Sequence, residues 1–186
     1  MVTIPSGFIG SFKLGDNIVH NLAILRELYA AQSTGTEEQR SLLRKPISVL
    51  IASVAEAVLF DLYLRINKFT REGVANIPDA VLDDIRNKTI DEFAKYIDNA
   101  KSNSLLGSDD AIYDALTNLR KLRNRVHIQN TRRHFEADES DAFSEDRQAN
   151  AEWALETLLQ KMHTDYGRNM QQHVEDFVLP WDTKLT

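Results

Sequence analysis

A short basic segment in the second half of the chain holds the side chains best suited to chemistry on a phosphate. Of the 22 lysines and arginines in the 186-residue chain, six lie within positions 120–133: Arg120, Lys121, Arg123, Arg125, Arg132 and Arg133. All 28 acidic residues lie outside this segment, and the chain has a net charge of −6. The pattern indicates a local anion or phosphate site on a body that repels polyanions elsewhere. A solvated helix face is the simpler alternative, because most charge runs are of that kind.

Helical periodicity sorts this region into a core face and a polar face. On a helix from Asp109 to about His127, five apolar residues form a stripe that we expect to face the core: Ile112, Ala115, Leu119, Leu122 and Val126. The adjoining face carries four polar residues, and Arg123 and His127 lie one turn apart on it: Arg120, Arg123, Asn124 and His127. An arginine fork can hold a phosphodiester, and a histidine can carry a proton near neutral pH. Together they can deprotonate a 2′-hydroxyl and stabilise a pentavalent transition state without a metal.

Two simpler explanations of these residues remain open. Arg and His are favoured at the carboxyl end of a helix, where a positive charge suits the helix dipole. A helix-turn-helix DNA reader would also carry a basic helix, but its recognition helix follows a turn of about three to four residues. The segment 102–108 before this helix is longer than that, which argues against such a regulator.

The run from Leu119 to His127, with the sequence LRKLRNRVH, resembles the signature helix of the HEPN domain family. That signature is an arginine, often followed by asparagine, then four to six residues and a histidine near a helix end. Arg123 and Asn124 match the start of the motif, but three residues separate Arg123 from His127, one fewer than the family's minimum of four. Arg120 has the family's spacing to His127, but Lys121 follows it. Either arginine therefore remains a candidate for the family role.

The resemblance implies metal-independent RNA cleavage by an arginine and a histidine, usually in a homodimer whose two motifs face each other. Many members act as toxins or in phage defence, with a cognate antitoxin or another protein as partner. Others are inactive RNA-binding or protein-interaction modules. On this basis the catalytic candidates are His127, Arg123, Asn124 and Arg120, and the RNA-binding candidates are Lys121, Arg125, Arg132 and Arg133. One subgroup has a modifiable tyrosine where this chain has Gln129, so that form of control is not expected.

Glu56 is a candidate supporting residue on the most apolar stretch of the chain. It lies within 47–66, which reads as a buried central helix. Asp61 and Arg65 on that helix are four apart and can pair locally, whereas Glu56 has no such partner. A buried carboxylate needs a cation, and Arg120 or Arg123 could supply it. An exposed position for Glu56 is the alternative.

The pattern of apolar residues predicts an all-α fold, a single HEPN-like bundle of five to six helices. We expect helices over 16–31, from the Thr36–Gln39 capping box, over 47–66 after a kink or restart at Pro46, over 80–86, 90–101 and 109–127, and from 145 to about 170. Asp16, Ser108 and Ser144 are predicted caps, and Thr89 with Glu92 a second capping box. Residues 1–186 form one domain, with a helical core at about 16–170 and a less regular tail at 171–186.

Composition excludes several other classes. The absence of cysteine removes disulfide scaffolds, thiolate zinc sites and cysteine nucleophiles, and no glycine-rich phosphate loop, GxSxG or HExxH motif occurs. We therefore expect no cofactor and no metal site. Without a signal peptide or a stretch apolar enough to span a membrane, we expect a cytoplasmic protein that does not interact with membranes.

Overall fold

Helices dominate the computed structural model, which describes residues 1–68, 71–127, 138–168 and 172–185. In chain order its elements are β1 (Val2–Ile4), α1 (Phe12–Thr34), α2 (Glu37–Asn67), α3 (Asp79–Arg86), α4 (Phe93–Ser102), α5 (Asp110–Asn124), α6 (Glu139–Ala142), α7 (Glu145–Asp165) and β2 (Phe177–Leu179). The prediction of an all-α bundle is confirmed. Arg132, Arg133 and Gln129 lie outside the described residues.

The 31-residue helix α2 is the centre of the bundle, and it packs against α1, α4, α5 and α7. The predicted capping box at its start is present: Thr36 accepts from Gln39 N, and the Gln39 side chain accepts from Thr36 N. The helix continues through Pro46. By length and composition α2 could cross a membrane, but its apolar residues from Ile47 onward are largely buried among the other helices, as in a core helix.

Three predicted helix starts are wrong. Helix α1 begins at Phe12 with Ser11 as its N-cap, four residues before the expected Asp16. The backbone N–H groups of Gly10 and Ser11 are held by the distant Asp61 carboxylate, which sets this start. Helix α4 begins after Glu92 without the expected Thr89 capping box, and α5 is capped by Asp109 instead of Ser108. The cap at Ser144 is confirmed.

Both ends of the chain contain a short strand, although the sequence indicates irregular structure there. Strands β1 and β2 pair antiparallel, with Thr3 opposite Val178. The apolar side chains of Ile4, Phe177 and Leu179 are buried in the main core beneath them. Strands of three residues carry almost no periodic signal, so their pairing depends on the core that they cover.

A buried ion pair within α2 joins four parts of the chain. Arg65 Nε donates to Asp61 at 2.8 Å, and the two side chains are 4% and 0% exposed. The same carboxylate accepts from the N–H of Gly10 at 3.0 Å. Arg65 Nη1 donates to the carbonyls of Gly73 at 2.8 Å and Tyr166 at 3.3 Å. The pairing of Asp61 with Arg65 was a sequence prediction, and it is confirmed.

Removal of the Asp61 carboxylate should therefore destabilise the whole fold. Asp61→Ala leaves Arg65 as an unpaired buried charge, which typically costs about 3–5 kcal/mol. Chemical denaturation measures this as a lower free energy of unfolding. Asp84→Ala is the matched control, because Asp84 also pairs with a cation four residues later, Lys88, but at an exposed site. Equal effects of the two substitutions would contradict a special role for the buried pair.

Candidate functional site

Helix α5 directs its apolar side chains into the core and its arginines into a cleft. Ile112, Ala115, Leu119 and Leu122 are buried, as the predicted stripe requires. On the adjoining face Arg120, Arg123 and Asn124 line a cleft of about 360 Å³. The other walls are Glu56 of α2 and residues 91–94, where α4 begins. Four of the predicted site residues are thus brought together in one place.

An ion pair closes one side of this cleft. Arg123 Nη2 lies 2.8 Å from Glu56 Oε2, with the side chains 40% and 24% exposed. The sequence left Arg120 and Arg123 as alternative partners of Glu56, and the structure selects Arg123. Burial raises the pKa of Glu56, and the attraction of Arg123 offsets this only in part. The carboxylate is consequently easier to protonate than one in water.

Arg120 and Asn124 leave the cleft with unused donors. Neither side chain makes a hydrogen bond or an ion pair with the described residues, and both are only half-buried. Lys121, the neighbouring RNA-binding candidate, lies outside the cleft lining and donates to Asn118 at 3.5 Å. Two guanidinium groups and a carboxamide that share one cleft can bind an anion such as a phosphodiester through several donors.

The end of α5 differs from the prediction, and this affects His127. The helix ends at Asn124, and the N–H groups of Val126 and His127 donate to the carbonyls three residues earlier, at 3.2 and 3.3 Å. A turn of this type advances about 120° per residue, so residues four apart no longer share a face. Val126 is 54% exposed instead of buried. His127 is exposed and is not among the residues that line the cleft.

Arg125, which the sequence suggested as an RNA-binding residue, is buried and paired within the protein. Its side chain is only 8% exposed, and its Nε donates to Glu139 at 3.1 Å. Glu139 also accepts from Lys45, whose ammonium lies 5.6 Å from the centre of the Phe143 ring. Burial opposes ionisation of Glu139, but the contacts with Lys45 and Arg125 together hold its pKa below the usual value. This cluster fastens α6 to the end of α5 and to α2.

A second polar cleft, of about 430 Å³, lies between α1, α2 and α7. Its floor contains the buried Glu152, which accepts from the Tyr29 hydroxyl, from Gln148 at 3.0 Å and from Lys184 at 2.9 Å. Burial and the Glu152 charge raise the pKa of Tyr29. This cluster was not predicted from the sequence, although Gln148 and Glu152 lie four residues apart on the inner face of α7. Its central groups are all partnered within the protein, so it stabilises the packing of these helices.

Comparison of the chain with protein-family models, with curated proteins and with solved structures finds no match in any of the three. Among the described residues no group of three histidine, aspartate or glutamate side chains is arranged to hold a metal ion. The HEPN resemblance of residues 119–127 therefore stays a hypothesis based on the motif.

The contrast between Arg125 and Arg120 can be measured directly. Arg125→Ala should lower the free energy of unfolding by about 1–3 kcal/mol, because it removes a buried charge-assisted hydrogen bond. Arg120→Ala, the control on the same helix, should change it by less than about 0.5 kcal/mol. Thermal or urea unfolding of both variants provides the comparison. A larger loss for Arg120→Ala would contradict the assignment of a free cation to the cleft.

Proposed function

We propose that this chain is a HEPN-like metal-independent endoribonuclease that binds a phosphodiester of RNA in the cleft of α5. The observation that supports this proposal is the arrangement of Arg120, Arg123 and Asn124 around one cleft at the end of a single helix. The segment 120–133 holds six basic residues and no acidic one on an otherwise acidic chain, which favours the approach of a polyanion to this segment. The metal-independent chemistry follows from the HEPN resemblance.

In the proposed reaction the arginines hold the non-bridging phosphate oxygens and offset the negative charge of the transition state. His127 accepts the proton of the 2′-hydroxyl. The 2′-oxygen attacks phosphorus, the bond to the 5′-oxygen breaks, and that oxygen takes up a proton from solvent, while His127 returns the proton it accepted to solvent. The products are a cyclic phosphate and a 5′-hydroxyl end. Because His127 lies beyond the end of α5 and outside the cleft lining, the proposal includes a short movement of the turn 125–127 toward bound RNA.

A non-catalytic RNA-binding or protein-interaction module is the second candidate. It is favoured by the end of α5 at Asn124, which leaves His127 outside the cleft lining. Such a module would use the same arginines for binding and would not need the histidine. Under either proposal, a role in toxin–antitoxin pairs or phage defence and a cognate protein partner follow from the resemblance alone.

Substitution of His127 separates these two functions. If the protein is a nuclease, His127→Ala should reduce cleavage by about 10²- to 10⁴-fold, the usual contribution of general acid–base catalysis. Arg123→Ala and Arg120→Ala should also reduce it, and the larger loss identifies the arginine of the motif. The assay is cleavage of total tRNA in EDTA, with detection of cyclic phosphate ends. His163→Ala, at an exposed position of α7, is the matched control.

Full activity of His127→Ala would exclude His127 as the proton carrier. RNA binding by the wild-type protein without any cleavage would favour the non-catalytic module. Circular dichroism of each variant shows whether the fold is retained, so that loss of structure is not mistaken for loss of catalysis.

We also propose a homodimer, in which two α5 clefts are brought together. Several large apolar side chains are exposed on the single chain, including Phe12, Leu42 and Phe60 at 64%, 70% and 43%. The HEPN resemblance implies a homodimer whose two motifs face each other, and exposed apolar side chains such as these are available to an interface. Light scattering should therefore give twice the 21.2 kDa mass of one chain. A 21.2 kDa particle at high micromolar concentration would contradict the dimer and a composite site.

A further inference from the structure

The α5 cleft already contains an anion, which is the protein's own Glu56 carboxylate. Its Oε2 lies 2.8 Å from Arg123 Nη2, at hydrogen-bond distance. Carboxylates and phosphates are the two groups that the planar arginine fork binds best, and they use the same N–H donors. A phosphate that enters the cleft must therefore share Arg123 with Glu56 or displace it.

The contact between Glu56 and Arg123 is suited to exchange. Both side chains are partly exposed, and ion pairs in such positions contribute little to stability. Partial burial disfavours the charged form of Glu56 more than the attraction of Arg123 favours it, and the pKa of Glu56 is therefore raised. In contrast to Asp61, which accepts hydrogen bonds from Arg65 and from backbone N–H groups, Glu56 has the ion pair with Arg123 as its one polar contact among the described residues.

The other charged groups around Glu56 determine how its protonation changes when an anion binds in the cleft. Arg120 and Arg123 face it from α5, and Asp91, Glu92 and the Tyr96 hydroxyl face it from the start of α4. Asp91 and Glu92 are paired with Lys95, at 2.7 and 3.7 Å. Among the three carboxylates that line the described cleft, Glu56 is therefore the one paired with an arginine of the cleft. A phosphate bound to Arg123 would deprive Glu56 of its cationic partner and place a negative charge beside Glu56. Both changes favour protonation of the Glu56 carboxylate.

We propose that Glu56 occupies Arg123 in place of a phosphate, and that RNA binding displaces Glu56, which then takes up a proton from solvent. This inference rests on the proposed function and adds a mode of regulation to it: the RNA site is closed by an internal carboxylate and opens more easily at lower pH. Glu56 thereby acts as a competitor of the substrate and not as a catalytic residue.

The decisive measurement is the binding of an RNA oligonucleotide with 2′-O-methyl groups, which cannot be cleaved, followed by fluorescence anisotropy at pH 7.5. Glu56→Gln removes the competing charge with little change in shape, and it should tighten binding by about 5-fold, the upper range for an ion pair of this kind. Glu92→Gln is the matched control, because it makes the same charge change in the same cleft without touching Arg123. Its gain should be clearly smaller.

Two further comparisons isolate the contact with Arg123. In an Arg123→Ala background, Glu56→Gln should no longer tighten binding, because no arginine is left to release. In the wild type, affinity should rise as the pH falls from 8 to 5.5, because protonation of Glu56 frees Arg123. The Glu56→Gln variant should lose part of this pH dependence, and Glu92→Gln should keep it. Glu56→Asp, with a shorter side chain, should show a smaller gain in the same direction.

Each outcome has a defined meaning. Equal or weaker binding by Glu56→Gln than by Glu92→Gln, or a gain that persists without Arg123, would overturn the inference; so would the absence of any oligonucleotide binding. Cleavage of unmodified RNA is measured separately. Tighter binding by Glu56→Gln without cleavage by any form supports the inference and contradicts the nuclease. Cleavage by the wild type with unchanged binding by Glu56→Gln does the reverse.

Discussion

The ion pair between Asp61 and Arg65 is the interaction on which the arrangement of the chain depends. It is buried inside α2, where an unpaired charge would be strongly unfavourable. The two side chains also exchange hydrogen bonds with backbone groups of the segment before α1, the loop at Gly73 and the end of α7 at Tyr166. Because these groups come from distant parts of the sequence, one pair sets the entry to α1 and the exit from α7 relative to the central helix.

The position of Gly73 follows from the same constraint. Its φ of +66° lies in the left-handed region, and a Cβ at this position would collide with Arg65 Nη1. A glycine satisfies both requirements, since it tolerates this backbone conformation and leaves room for the guanidinium. The loop between α2 and α3 therefore adapts to the ion pair.

Two of the four acidic residues of helix α2, Asp61 and Glu56, have opposite surroundings, and this difference links the fold to the candidate site. Asp61 is fully buried and accepts from Arg65 and two backbone N–H groups, so its charge is well compensated. Glu56, on the side of the helix toward α4 and α5, is partly exposed and is held by Arg123 alone among the described residues. The rigid core positions the carboxylate, and the open cleft keeps its contact exchangeable. The same helix therefore supplies Asp61, which stabilises the fold, and Glu56, whose contact with Arg123 an incoming anion can replace.

The sequence by itself determined the features that depend on neighbours within a few residues. Helical periodicity predicts the all-α class and the buried stripe of α5 as far as Leu122, and side-chain spacing predicts the Thr36 capping box and the Asp61–Arg65 pair. These features follow from local geometry that repeats every three or four residues. The grouping of Arg120, Arg123 and Asn124 on one face was predictable for the same reason.

Tertiary structure alone decided the features that depend on contacts between distant segments. The choice of Arg123 over Arg120 as the partner of Glu56 depends on the packing of α5 against α2. The burial of Arg125 depends on Glu139, which lies fourteen residues away and belongs to α6. The end of α5 at Asn124, which removes His127 from the predicted helix face, accompanies that contact. No local pattern contains this information, because each outcome depends on which remote group offers the better partner for a charge or a backbone N–H.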